Sequence, residues 1–226
     1  MSDKLLSVAI DGPSGAGKST IARILAKELR FLYVDTGALY RAVGYFMLQA
    51  GAKPGDETQV GPLLNGLEVA LRYVEGEQHV FVNGEDVNAY IRTPEVSMAA
   101  SAVSALPVVR RFLFQLQRDI AAKNNVIMDG RDIGTVVLPD AGLKVFLTAS
   151  AEARAERRFK ELAEKGISTT FDEVLADMRK RDHDDETRAA APLKAAEDAI
   201  LVDSTSYTLE EAVAKLKELV KGTFDI

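Results

Sequence analysis

Five short runs are apolar at nearly every position: Leu6 to Ile10, Phe31 to Asp35, Asn125 to Asp129, Lys144 to Thr148 and Ala199 to Asp203. Such runs predict parallel strands buried on both faces. Between them the period becomes helical. Ile21, Ile24, Leu25 and Leu29 line one face of Lys18 to Leu29, and Leu209 to Val220 repeats the pattern after Thr208, with Glu211 completing a capping box. Thr170 and Glu173 form a second box that opens a helix toward Arg179, and Thr93, Pro94 and Glu95 predict the start of another. Alternating strands and helices imply an α/β fold, a doubly wound parallel sheet flanked by helices. One stretch breaks the rhythm. Leu67, Val69, Leu71 and Tyr73, then Val80 and Val82, alternate with period two around turn signals at Glu75-Gly76-Glu77 and Asn83-Gly84. This predicts antiparallel hairpins inserted between helices, either a surface decoration or a lobe that helps close over a substrate.

The chain has 226 residues, 47% of them hydrophobic, enough for one well-buried domain with an inserted lobe. No window approaches the ~18 apolar residues of a membrane helix, and Met1 to Leu6 lacks the blocks of a signal peptide. A cytoplasmic protein without a membrane partner is expected, and a monomer. Cysteine is absent and His79 and His183 stand apart, so thiolate chemistry and a zinc cluster are excluded. Any metal is a hard cation on oxygen ligands. A net charge of -6 argues against a nucleic-acid polymer as partner. The arginines nevertheless gather at Arg110, Arg111 and Arg118, at Arg154, Arg157 and Arg158, and at Arg179, Arg181 and Arg188.

The chemistry begins directly after the first strand. Gly12, Pro13, Ser14, Gly15, Ala16, Gly17, Lys18, Ser19 and Thr20 fit G-x-x-x-x-G-K-[ST] at every fixed position. The glycines let backbone N–H groups converge on phosphate, and the helix that follows adds its positive end. Lys18 is placed to reach the β- and γ-phosphates and the Ser19 hydroxyl to ligate Mg²⁺. Asp129 ends the third strand, where it serves the metal, directly or through water, or else caps the turn at Gly130. The P-loop alone leaves a small-molecule kinase, a GTPase switch and an ATP-driven motor or regulator open. No Asn-Lys-x-Asp guanine reader is present. Arginines in excess of what one triphosphate needs suggest a second phosphorylated ligand, which favours a kinase whose acceptor is a nucleotide.

Asp11-Gly-Pro-Ser-Gly-Ala-Gly-Lys, Asp35-Thr-Gly-Ala-Leu-Tyr-Arg41, Ile91-Arg92-Thr-Pro-Glu, Asp129-Gly-Arg-Asp-Ile-Gly-Thr135, Arg181-Asp-His-Asp-Asp185 and Arg188-Ala-Ala-Ala-Pro-Leu resemble the signature segments of the bacterial cytidylate kinases. The likeness spans essentially the whole chain. It implies a nucleoside monophosphate kinase fold: a core at 1–35 and 106–226 with a mobile lid near 150–170, and an acceptor-binding lobe at 36–105 with the β insert near 67–92. The implied reaction transfers the γ-phosphoryl group of ATP, with Mg²⁺, to CMP or dCMP; a UMP/CMP-type kinase and a P-loop regulator are the alternatives. By resemblance, Ser101, Arg110 and Asp132 hold the cytosine, and Arg41 and Arg131 the acceptor phosphate. Arg181 and Asp185 lie at the acceptor's sugar and phosphate, Thr36, Tyr40 and Arg92 near the acceptor, and Arg188 between the nucleotides. Lys18, Arg131 and Arg188 are the implied catalytic groups, and Arg157 joins the ATP site from the lid.

Overall fold

A computed structural model of the chain describes residues 5–74 and 77–226. Glu75 and Gly76, and with them most of the first expected hairpin turn, lie outside the described residues, as do residues 1–4. The chain divides into two compact units: Met1–Tyr33 with Asn124–Ile226, and Val34–Lys123.

The first unit carries most of a parallel sheet. β1 (Ser7–Asp11), β2 (Leu32–Asp35), β6 (Val126–Gly130), β7 (Leu143–Thr148) and β8 (Ile200–Asp203) lie in the order β2-β6-β1-β7-β8. Each expected strand is present within a residue of its predicted ends. Continuously apolar segments lose least free energy when both sheet faces are covered. The covering helices supply the matching stripes: Ile21, Ala22, Leu25 and Ala26 of α1 (Lys18–Leu29) and Ala212, Leu216 and Val220 of α8 (Leu209–Phe224) join Val8, Ile10, Ile127, Val145 and Leu147 in one core. α8 begins at the expected capping box and runs one turn further than the pattern predicts. β1 is central, with Ile10 beside Asp129 and Asp11 beside Gly130. This register sets the P-loop next to the end of β6. Two further helices, α6 (Ala151–Glu164) and α7 (Phe171–Thr187), share a small apolar cluster of Ala155, Val174 and Met178, with Phe159 and Phe171 edge to face. The capping box at Thr170 and Glu173 starts α7 as expected.

The second unit has its own core. α2 (Thr36–Gln49), α3 (Glu57–Leu63), α4 (Pro94–Ser104) and α5 (Pro107–Ala121) enclose Leu39, Val43, Met47, Val103 and Leu113, together with Val80 and Val82 from the antiparallel sheet. That sheet is β3 (Val69–Val74), β4 (Glu77–Val82) and β5 (Glu85–Asp86). Asn83 and Gly84 turn between β4 and β5 with φ of 50° and 85°, the left-handed pair that a two-residue hairpin turn demands. Gly44 lets α2 lie against α4, since a Cβ there would meet the Ala100 nitrogen at 2.9 Å. Among the described residues no single helix is long and apolar enough to cross a membrane.

Candidate active site

In the first unit, the P-loop leaves β1 at Asp11 and enters α1 at Lys18. Gly12, Gly15 and Gly17 take φ of 147°, 76° and 88°, and a Cβ on Gly12 would lie 1.9 Å from the Leu147 carbonyl oxygen. No other residue fits at Gly12. Gly17 precedes α1 without a side-chain cap, so the first N–H groups of that helix remain available to an anion. Thr20 is exposed on α1.

Lys18 is buried, and its Nζ donates to the Pro13 carbonyl at 2.7 Å. Burial lowers its pKa from 10.5 to about 7, with the Arg131 guanidinium adding to the fall and Asp129, Asp11 and Asp185 opposing it. A phosphate anion beside it would favour the charged form. The Ser19 hydroxyl donates to Asp129 Oδ2 at 2.8 Å, which brings the two expected metal groups together. A hydroxyl and a buried carboxylate are the hard oxygen donors that Mg²⁺ accepts, so the residues present fit that ion.

The same unit gathers arginines against carboxylates. Arg131 Nε donates to Asp185 Oδ2 at 2.7 Å, and Arg188 stands 3.7 Å from both Asp132 and Asp185 with its Nε on the Ala191 carbonyl. Ala191 has φ of 50°, a strained conformation for a residue with a Cβ. Arg188 follows directly on α7, so its backbone N–H still bonds to Asp184 while its side chain turns back. Arg181 lies on α7, its pKa lowered by burial and by the neighbouring Arg131. The acidic run at 182–185 separates by helical angle: Asp182 pairs with Arg154, Asp185 with Arg131, and Asp184 is exposed.

The three arginines of α6 differ from one another. Arg154 is buried, donating to the carbonyls of Ala149 and Ser14 and twice to Asp182, so it ties the P-loop to α6 and α7. Arg157 donates to the Ser204 carbonyl at 2.6 Å, and Arg158 to Glu161.

In the second unit, the candidate acceptor groups form their own set. Asp35 caps α2 through the Ala38 N–H and holds Arg41 at 2.8 Å, with Arg92 at 3.9 Å. Thr36 is buried beside it. The Arg110 guanidinium lies 5.8 Å from the Tyr40 ring centre and donates to the Ser104 carbonyl, whereas Arg111 is exposed. Ser101 is exposed on α4.

Sequence reasoning did not single out three groups: Asp35 as the anchor of Arg41, Arg154 as a brace of the P-loop, and the carboxylate of Asp11. Asp35 carried a signal, an acid just before a helix. The other two act over separations in the chain that no local pattern encodes.

Asp11 is 4% exposed, and its carboxylate accepts from the N–H groups of Ile133 at 2.8 Å and Gly134 at 2.7 Å. Burial raises its pKa from 3.8 to about 6, against the two N–H donors that favour the anion. A folded-state pKa above the unfolded value means that stability from this group is full below the unfolded pKa and is lost as pH rises through about 6. Relative to Asp11→Asn, which does not titrate, the wild type is expected to lose up to about 3 kcal/mol between about pH 4 and pH 8. Urea midpoints of both proteins at the two pH values measure this. A wild-type advantage that grows with pH contradicts it.

The sequence model described as "Cytidylate kinase" matches residues 8–222. The chain belongs to the cytidylate kinase family. It is 51% identical to a cytidylate kinase of Caldicellulosiruptor bescii, covering 96% of each chain. It is also 51% identical to one from Carboxydothermus hydrogenoformans, covering 98% of this chain and 100% of the relative. In structure it is similar to an uncharacterized protein from Eubacterium ventriosum, with a TM-score of 0.51 at 14% identity over 97% of this chain and 99% of that one. That likeness concerns the fold alone. Family membership makes this protein a nucleotide-binding phosphotransferase, which removes the switch and the motor from the readings that the P-loop left open.

Proposed function

We propose that this protein transfers the γ-phosphoryl group of ATP to CMP or dCMP, giving ADP and CDP or dCDP. The observation that carries the reading is the shared electrostatic field of the P-loop and the arginine cluster. Lys18 is close enough to Arg131 for that guanidinium to lower its pKa, and Arg131 in turn is fixed by Asp185 beside Arg188. Two sets of cations, one on a triphosphate cradle and one beyond it, suit a reaction in which negative charge must be neutralised on both sides of a moving phosphoryl group.

Residues 12–20 cradle the donor phosphates, and Arg157 serves ATP from α6. Ser19 and Asp129 would hold Mg²⁺, Asp129 directly or through water. The ion, when bound, neutralises the phosphate oxygens and orients them for transfer. From the family resemblance, Arg131 and Arg41 are assigned to the acceptor phosphate, Asp132 to the cytosine amine, Ser101 and Arg110 to the cytosine ring acceptors, Arg181 and Asp185 to the sugar and phosphate, Arg188 to the transferring group, and Thr36, Tyr40 and Arg92 to the neighbourhood of the acceptor. An acceptor phosphate is already ionised at neutral pH, so no general base is required. The protein's work is placement and charge stabilisation.

A coupled ADP-release assay with Mg-ATP and CMP, dCMP, UMP or AMP tests the reading. CMP and dCMP are expected to turn over well, and Asp132→Ala is expected to reduce the preference for CMP over UMP by about 10- to 100-fold, the worth of one base-edge contact. Equal turnover of UMP points to a broader pyrimidine kinase. ADP release indifferent to every acceptor refutes phosphoryl transfer to a nucleotide.

A further inference from the structure

The Asp132 loop is clamped at both ends by one residue. On its near side, the backbone of Asp11 pairs with Gly130 in the β1–β6 ladder. On its far side, the Asp11 carboxylate takes the N–H groups of Ile133 and Gly134. Arg131 and Asp132 lie between these two anchor points. Beyond them the chain enters a π-type turn, Ile133–Val137, in which the Asp132 carbonyl accepts from Val136 and Val137. Turns of this kind are uncommon and recur at functional sites.

Gly134 is closed in from the other direction. A Cβ there would lie 3.2 Å from Lys144 Cδ and 3.4 Å from Asp11 Oδ2. Lys144 is itself engaged, its Nζ held by both oxygens of Asp198 at 2.9 and 2.8 Å. The loop therefore lies between a buried carboxylate and a lysine stem.

A carboxylate suits this clamp better than any other side chain of its size. Each of its oxygens accepts, whereas an amide of the same shape offers one acceptor and sets an N–H₂ donor against the second backbone N–H. Keeping the anion buried costs stability, as its raised pKa indicates, and a group retained at such a cost is a candidate for function.

We propose that Asp11 is a positioning residue for substrate specificity, whose carboxylate sets the Arg131–Asp132 loop so that Asp132 distinguishes cytosine from uracil. The inference rests on the reading of Asp132 given under the proposed function. Cytosine offers an amine where uracil offers a carbonyl, so discrimination depends on the carboxylate of Asp132 standing at hydrogen-bond distance from that amine. A loop released at one end loses that fixed distance. Asp11 itself touches neither base.

The test measures kcat and KM for CMP and UMP, each at saturating Mg-ATP, in wild type, Asp132→Ala, Asp11→Asn and Gly134→Ala. Gly134→Ala pushes the same loop while leaving the Asp11 carboxylate in place, and it carries the test if Asp11→Asn does not fold. In both loop variants turnover of either substrate falls through Arg131. The ratio of kcat/KM for CMP to that for UMP is expected to fall about tenfold further through Asp132. KM for ATP is expected to move far less. A merely structural defect would lower both substrates together and leave the ratio intact. Wild type that fails to prefer CMP over UMP defeats the functional reading and this inference together. A preference lost in Asp132→Ala but kept in the folded loop variants overturns this inference alone.

Discussion

Arg188→Ala is expected to lower kcat for CMP phosphorylation by about 10³ or more, with a much smaller change in KM for ATP. The side chain is 8% exposed, anchored through Nε to the Ala191 carbonyl, and it stands between Asp132 and Asp185. Its position is thus prepared before any substrate arrives, at the expense of a strained Ala191. A guanidinium already in place stabilises charge on the moving phosphoryl group without reorganising, and such groups are most effective where water is excluded. Arg188→Lys keeps the charge but loses the planar fork, and it is expected to recover only a small part of the loss. Pre-steady-state measurement of the chemical step separates the outcomes. A variant that binds both substrates normally and transfers slowly supports the role; one whose only defect is a weaker KM for CMP assigns Arg188 to ground-state binding instead.

Lys18→Met is expected to cost at least about 10² to 10³ in kcat, the scale of removing one preorganised donor from a developing charge. The methionine keeps the length and apolar packing of the stem, so the change isolates the ammonium. Without a phosphate nearby, burial makes that ammonium costly, and it donates to the Pro13 carbonyl. The variant is therefore expected to be at least as stable as wild type while losing catalysis. Thermal unfolding without ligand and turnover with CMP check both halves. A variant that is both unstable and active would reverse the assignment.

Much of the fold was legible because its signals are local. A buried parallel strand must be apolar on both faces, and the five runs announce themselves. Capping boxes at Thr170 and Thr208 mark helix starts by the hydrogen bonds of four successive residues. The P-loop is legible for the same reason: three glycines with left-handed or otherwise restricted φ leave few alternatives. α2 was less legible, since Asp35 to Arg41 draws attention as a binding motif, and its cap and its Arg41 anchor turn out to be the same carboxylate. The run from Arg181 to Asp185 has no sign of which member faces which partner. Only the course of α7 past α6 assigns Asp182 to Arg154 and leaves Asp185 for Arg131.

The sequence by itself determined the α/β architecture, the phosphate cradle and the family, because backbone conformation, burial period and motif spacing are properties of short segments. The tertiary structure alone decided how the site is held. Asp11 meets Ile133 and Gly134 across 122 and 123 residues, and Arg154 meets Ser14 across 140. Burial, which no single segment controls, sets the charge preference of Asp11 and Lys18. Contacts of that reach depend on which strands become neighbours in the sheet, and the solvent exclusion that makes them strong exists only once the core has closed.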